Sequence, residues 1–212
     1  FSYNSRFWEP VVPTFKKYWN LQEADSVLDV GCAKGFMLYD MQRLIPGLKV
    51  AGIDISDYAI SNSKEEVREF CKVGNAIELP FEDNSFDVVI SSEVIEHTPD
   101  PFKATQELIR VLKPGGYLCV TAPNRSFWYF SLKIAKWFNL RKYKGYENWV
   151  HYNQFRKFLI INGVEIKTYK GIHLFPFVFS FLNPILYKLD KIFDKNLGIY
   201  MVNIAAFGTK TP

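Results

Sequence analysis

Short apolar runs alternate with amphipathic stretches along most of this chain, and that alternation constrains the fold more than any other feature. A run that is followed by a helical pattern before the next run builds parallel strands joined by crossover helices. The runs predict strands at 26–31, 49–54, 71–75, 86–91 and 116–122, then at 163–169 and 201–208 after a longer excursion. Helical spacing predicts helices over 35–45, 57–70 and 102–112, the last stopped by "KPGG", and a first helix near 9–20. The expectation is one α/β domain over residues 1–212 with a doubly wound, seven-stranded sheet.

The turn after the first strand reads "SVLDVGCAKGFML", residues 26–38. A dinucleotide-binding turn would need glycines at 31, 33 and 36, where this chain has Gly31, Ala33 and Phe36. Phe36 obstructs the close backbone approach of a pyrophosphate, so a phosphate ligand is disfavoured. Asp54 ends the second strand in "VAGIDIS", where a carboxylate can accept two hydrogen bonds from a ribose diol. Ile55 offers an apolar face to an adenine, and Asn75 and Ala76 in "GNAIELPF" offer polar groups to its edge.

With these residues in this order, the segment Val27–Asn124 resembles the class I S-adenosylmethionine-dependent methyltransferases, type 11, in the branch that includes quinone-biosynthesis enzymes. The matching pieces are "VLDVGCAKGF", "GIDIS", "GNAIELPFEDNSFDVVISSEVIEH" and "ELIRVLKPGGYLCVTAPN". The resemblance implies a Rossmann-like, mostly parallel sheet with its last strand antiparallel. It implies a cofactor-binding half at 1–124 and an acceptor-side half at 125–212. It also implies S-adenosyl-L-methionine as cofactor, with S-adenosyl-L-homocysteine as product. Asp29, Gly31, Cys32, Ala33 and Gly35 would then shape the pocket for its methionine part. Asp54 and Ile55 would meet the ribose and adenine, Asn75 and Ala76 the adenine edge, and Ser91 would lie beneath the sulfonium. Ala33 replaces the central glycine usual in such turns, and one added methyl group is tolerable where the backbone dihedrals are ordinary. Asn75 stands where aspartate is more frequent and keeps a side-chain acceptor.

Methyl transfer from a sulfonium asks the protein chiefly to align donor and acceptor and to exclude water. A base is needed only where the acceptor must lose a proton. His97 in "SSEVIEHTPDP" is the candidate base, or else it packs a short helix. Glu93, Glu96 and His97 would share one face of a helix and could hold a divalent cation, although a solvated acidic face is the preferred reading and no metal is assigned. His151 and Tyr152 are expected to face the acceptor or to serve the structure alone. The run after the fourth strand reads "SSEV" and lacks the Asn/Asp-Pro-Pro-aromatic signature of base-amino methylation, which argues against a nucleic-acid substrate.

Composition matters where the two halves differ. Residues 1–124 hold 12 Lys+Arg against 18 Asp+Glu, while residues 125–212 hold 14 against 4 and carry 21 of the 36 aromatic residues. A basic, aromatic half points to an anionic partner or a membrane surface, or to a solvated basic face over an aromatic core. Phe127, Phe130, Ile134, Trp137 and Phe138 recur at helical spacing among Lys133, Lys136, Arg141 and Lys142, as in an interfacial helix or a lid. Residues 171–187, "GIHLFPFVFSFLNPILY", contain no Asp, Glu, Lys or Arg and predict an apolar hairpin over a greasy acceptor or at a bilayer surface. Lys188, Lys191 and Lys195 would then lie near headgroups, with a dimer interface or local core as the competing reading.

The acceptor expected is a small, hydrophobic, lipid- or quinone-like molecule methylated at oxygen or carbon. A soluble sugar or natural-product intermediate is the alternative, as is an inactive cofactor-binding subunit docked on a membrane or partner. Cys32, Cys71 and Cys119 show no CxxC spacing, which predicts reduced thiols and a cytoplasmic protein, peripheral at most at the inner membrane face. The chain begins at Phe1 without Met, so sequence ahead of it is expected, and Arg6, Glu9, Lys16 and Lys17 interrupt any signal-like run.

Overall fold

A computed structural model describes residues 11–126, 129, 130, 133, 137, 145–172 and 197–212. Its strands are β1 (Ser26–Val30), β2 (Lys49–Asp54), β3 (Cys71–Val73), β4 (Phe86–Ser92), β5 (Leu112–Pro123), β6 (Val164–Ile172) and β7 (Asn203–Lys210). They form a seven-stranded sheet in the order β3-β2-β1-β4-β5-β7-β6. β1 to β5 run parallel, and β7 lies antiparallel between β5 and β6. The expected fold class is therefore the observed one. The order reverses beside β1, so the carboxyl ends of β1 and β4 open a crevice.

Helices α1 (Val12–Trp19), α2 (Phe36–Leu44) and α3 (Asp57–Ser61) occur ahead of β4, while α4 (Pro101–Val111) and α5 (Tyr152–Ile161) follow it. Alternate residues of the strands supply two cores, one on each face. Val27, Val88, Ile90 and Cys119 pack with Trp19, Leu38 and Met41 on the α1–α2 face. Val89, Leu118 and Val120 pack with Leu108, Phe155 and Leu159 on the α4–α5 face. The Asp100 carboxylate caps α4 by accepting the N–H groups of Phe102 and Lys103, at 2.9 and 3.0 Å, and Pro101 begins the helix.

Several elements depart from the sequence expectation: α5 was not predicted, and β7 lies two residues later than expected. The helix predicted over 57–70 breaks into α3 and a 3₁₀ turn, Glu65–Phe70. Asn62 Nδ2 donates to Tyr58 O, and Ser63 Oγ donates to Ile60 O, so polar side chains compete with the helix ladder at the break. β5 begins at Leu112 rather than 116, because Leu112 pairs with Phe86 before a register shift, and Gly115 adopts φ +78 beyond it. The first helix is described from Val12 onward.

Candidate active site

The turn after β1 is the centre of the crevice. Gly31 and Cys32 both donate their N–H groups to Ile53 O, at 2.6 and 3.0 Å, and the Gly35 N–H returns to Cys32 O at 2.8 Å. Gly31 has φ +86, and a Cβ there would lie 2.1 Å from Val94 Cγ2. Only glycine lets this backbone lie against the exit of β4. Gly35, at φ +68, opens α2, and a Cβ on it would meet Val67 Cγ2 at 2.9 Å.

Ala33 between them also lies in the left-handed region, with φ 47. Its dihedrals are therefore not the ordinary ones on which tolerance of the extra methyl group was argued, and the conformation costs about 1–2 kcal/mol. A charge-assisted hydrogen bond offsets the cost: the Ala33 N–H donates to Asp54 Oδ2 at 2.9 Å. Asp54 Oδ1 accepts the Ser56 N–H, also at 2.9 Å. Asp54 thus ties the end of β2 to the β1 turn while each oxygen keeps lone-pair capacity toward the crevice.

Asp29 is buried in β1, and burial together with the Asp54 charge pushes its carboxyl up to about 7. Two carboxylates at one turn, one of them held partly neutral, favour a cationic ligand that would restore the missing charge. Cys32 contributes its backbone to the turn. Hydrogen bonding to Cys71 and burial raise the Cys32 thiol above the usual range. All three cysteines are free and buried.

Asn75 is exposed after β3, its Oδ1 accepting the Ile77 N–H at 3.2 Å, and Ala76 is buried beside it. Helix α4 holds this loop: Glu107 Oε2 accepts the Leu79 N–H at 2.8 Å, and the Arg110 guanidinium donates to Leu79 O, Phe81 O and Asp83. Ile55 lies exposed after β2.

At the exit of β4, Ser91 is fully buried, and among the described residues its Oγ has no hydrogen-bond partner. Glu93 follows with φ 56, its N–H donating to Thr121 O and Thr121 Oγ1 at 3.1 and 3.2 Å. Asn203 Nδ2 donates to Glu93 Oε2 at 3.0 Å, and burial raises the Glu93 carboxyl. Glu96 is buried, and burial and the Glu93 charge push its carboxyl up to about 8. The helical face expected for Glu93, Glu96 and His97 does not form. Glu93 precedes the short 3₁₀ turn Ile95–His97 in a left-handed conformation. Among the described residues no group of three or more His, Cys, Asp or Glu side chains could hold a metal ion. His97 Nδ1 lies 3.0 Å from Tyr146 O, and Nε2 lies 3.8 Å from Glu96 Oε1.

Asp29, Gly31, Cys32, Ala33, Gly35 and Asp54 thus meet at one turn, with Ser91 on the strand next to it. His151 is exposed just before α5, beside a separate cavity of about 490 Å³ shared with Asn124, Arg125 and Tyr200. Three site-side residues escaped sequence reasoning: Thr121, Asn124 and Asn203. Asn124 Nδ2 donates to Gly198 O, Ile199 O and Met201 O, closing the β5 exit over the segment before β7. No local signal marks Asn203, because its role depends on the antiparallel insertion of β7. Of the basic aromatic stretch 127–138, only 129, 130, 133 and 137 are described, with Phe130 and Trp137 exposed on helix. Phe127, Ile134, Lys136, Phe138, Arg141, Lys142, residues 173–187, Lys188, Lys191 and Lys195 lie outside the described residues. Among the described residues no helix is long and apolar enough to cross a membrane.

Residues 28–120 match a family model described as a methyltransferase domain. A demethylmenaquinone methyltransferase of Lactococcus lactis is 39% identical over 98 residues, which cover 43% of this chain and 39% of that protein. An uncharacterised methyltransferase of Schizosaccharomyces pombe is 33% identical over 111 residues, 47% of this chain and 40% of that one. The matches thus span about two fifths of the length of these relatives. Among solved structures, a putative sarcosine dimethylglycine methyltransferase from Galdieria sulphuraria superposes with a TM-score of 0.69 at 18% identity, over 96% of this chain and 85% of that one. Geranyl diphosphate methyltransferase in complex with S-adenosylmethionine gives 0.69 at 15% identity, over 97% and 86%.

Proposed function

On the premise that the chain carries a methyltransferase domain at residues 28–120, we propose that it transfers a methyl group from S-adenosylmethionine to a small, hydrophobic, lipid- or quinone-like acceptor at oxygen or carbon. The observation that carries the cofactor reading is the acidic turn, where buried Asp29 and the Ala33–Asp54 tie lie beside two positions that admit only glycine or a left-handed residue. The cofactor supplies a methyl group already activated by a positive sulfur.

In this reading Asp29 and the Gly31–Gly35 turn receive the cationic methionine end. Asp54 takes the ribose hydroxyls, while Ile55, Asn75 and Ala76 border the adenine. Buried Ser91 forms the floor. His97 and His151 belong to the acceptor side. The matched relative named demethylmenaquinone methyltransferase supports a quinone-like acceptor, and the basic aromatic C-terminal half supports a greasy or anionic one.

Labelled S-adenosylmethionine incubated with total cell extract, followed by phase partition, tests the acceptor class. Organic-phase label is the expected outcome; aqueous label replaces it with a soluble acceptor. Calorimetric titration with S-adenosylhomocysteine tests the cofactor site on its own: Asp54→Ala removes acceptors for two backbone donors and should weaken binding by about 10-fold or more.

A further inference from the structure

Cys32 and Cys71 stand on different segments, one in the turn after β1 and the other at the start of the edge strand β3. The sheet brings them together. Both pack on the α1–α2 face, and the Cys32 thiol hydrogen-bonds to the Cys71 sulfur.

Two glycines make the meeting possible. Gly52 pairs with Cys71 in register across β2 and β3, on strands about 4.8 Å apart. A Cβ on Gly52 would lie 2.7 Å from Cys32 Sγ, so the absent side chain leaves the room in which that sulfur reaches across β2. A Cβ on Gly35 would lie 3.3 Å from Cys71 Sγ, so the second sulfur abuts the far end of the same turn. Cys119 is as buried as these two but lies on β5, which β1 and β4 separate from β2.

A hydrogen-bonded thiol pair becomes a disulfide by losing two protons and two electrons and closing to about 2.05 Å. The hydrogen bond from Cys32 lowers the Cys71 thiol against the effect of burial, which favours the nucleophilic thiolate at Cys71. Each residue keeps 5% exposure, and β3 is the sheet edge, so a small neutral oxidant has a short way in.

Resting on the reading that the β1 turn receives S-adenosylmethionine, we infer that Cys32 and Cys71 form a reversible disulfide with a peroxide as oxidant, and that its closure weakens cofactor binding. The Cys71 thiolate attacks hydrogen peroxide: a sulfur–oxygen bond forms, the oxygen–oxygen bond breaks, and the hydroxide released takes up a proton as water. Cys32, giving up its own proton, then attacks the Cys71 sulfur. The sulfur–sulfur bond forms, the sulfur–oxygen bond breaks, and a second water leaves. Two thiols are oxidised by two electrons while one peroxide is reduced to two waters.

The bond tethers the cofactor turn to β3. Cys32 is held on its backbone side by its N–H to Ile53 O at 3.0 Å and by its carbonyl, which accepts the Gly35 N–H at 2.8 Å. Next to it is Ala33, whose left-handed φ 47 rests on the bond to Asp54. A turn built around a strained residue does not absorb the pull without moving the groups that meet the cofactor.

The test uses the full chain, reduced with dithiothreitol and then treated with hydrogen peroxide. Peptide mapping after alkylation should find Cys32 joined to Cys71 and Cys119 alkylated. S-adenosylhomocysteine affinity, read by calorimetry, should fall about 10-fold or more on oxidation and return with dithiothreitol. Cys71→Ala should bind within about 3-fold of reduced wild type and keep that affinity through peroxide. By reciprocity, saturating S-adenosylhomocysteine should lower the equilibrium constant for the disulfide in a glutathione buffer by the same factor. Thiols that stay alkylatable, a disulfide to Cys119 or between chains, or a Cys32–Cys71 crosslink with unchanged affinity overturns the inference. Failure of reduced wild type to bind S-adenosylhomocysteine would instead remove the cofactor reading beneath it, while the peptide map still decides whether the disulfide forms.

Discussion

The Ala33 N–H donates to Asp54 Oδ2 at 2.9 Å, so the carboxylate at the end of β2 holds the turn after β1 in its left-handed conformation. The loop substitution and the acidic residue 21 positions later form one unit. The residue that departs from a glycine-rich turn is the one whose backbone the acid secures.

Ala33→Gly tests that unit. Glycine relieves about 1–2 kcal/mol of left-handed strain but costs about 0.5–1 kcal/mol in unfolded-chain entropy. Urea denaturation should therefore show stability within about 1 kcal/mol of wild type, and S-adenosylhomocysteine affinity should change by less than about 3-fold. Ala33→Val should lose stability outright, since a β-branched residue at φ 47 is a genuine outlier.

Gly31→Ala should be far more costly. The new Cβ would sit 2.1 Å from Val94 Cγ2 at φ +86, combining overlap with backbone strain. A loss of about 2–4 kcal/mol is expected in denaturant titration. The double variant with Val94→Ala should recover the overlap part and leave the strain, a coupling that a double-mutant cycle reads directly.

Asp29 and Glu96 make the unliganded protein less stable as pH rises. Their folded carboxyls titrate at about 7 and about 8, above the ordinary 3.8 and 4.5. Stability is thus fully present below the ordinary values and is lost as pH rises through the folded ones. For Asp29 alone the loss amounts to about 4 kcal/mol at most between about pH 4 and pH 8. Asp29→Asn should flatten that slope in urea titrations at several pH values. It should also abolish the tightening of S-adenosylhomocysteine binding expected as the carboxylate ionises toward pH 8.

Asn124→Ala should loosen the exit of β5 without touching the Gly31–Gly35 turn. The buried Nδ2 serves Gly198 O, Ile199 O and Met201 O, and its removal withdraws that donor from all three, while Gly198 O keeps the Met201 N–H. About 1–3 kcal/mol should be lost. Hydrogen exchange should accelerate at 198–203 while the Gly31–Gly35 amides keep their protection.

The strand pattern, the seven-strand count and the glycine-bearing turn after β1 were legible because each is local. Alternation marks buried strands, glycines mark positive φ at 31 and 35, and Asp54 falls at a strand end whose position the pattern locates. The break after Ser61 was not legible, because Asn62 and Ser63 fit a helical period until their side chains are seen bonding backwards. The left-handed state of Ala33 was hidden for a similar reason: alanine carries no sign of the conformation that Asp54 imposes on it.

What the sequence by itself determined is a doubly wound sheet with an acidic, glycine-bearing turn at its switch point, since periodicity and turn chemistry act over a few residues. What only the tertiary structure decided is how the exit of β4 meets β7. Glu93 meets Asn203 through the antiparallel insertion of β7 between β5 and β6, and the Glu96 carboxyl is pushed up by burial, which spacing along the chain does not show. Both depend on contacts between distant segments, and the free energy of such contacts is set by register and desolvation, which no local pattern encodes.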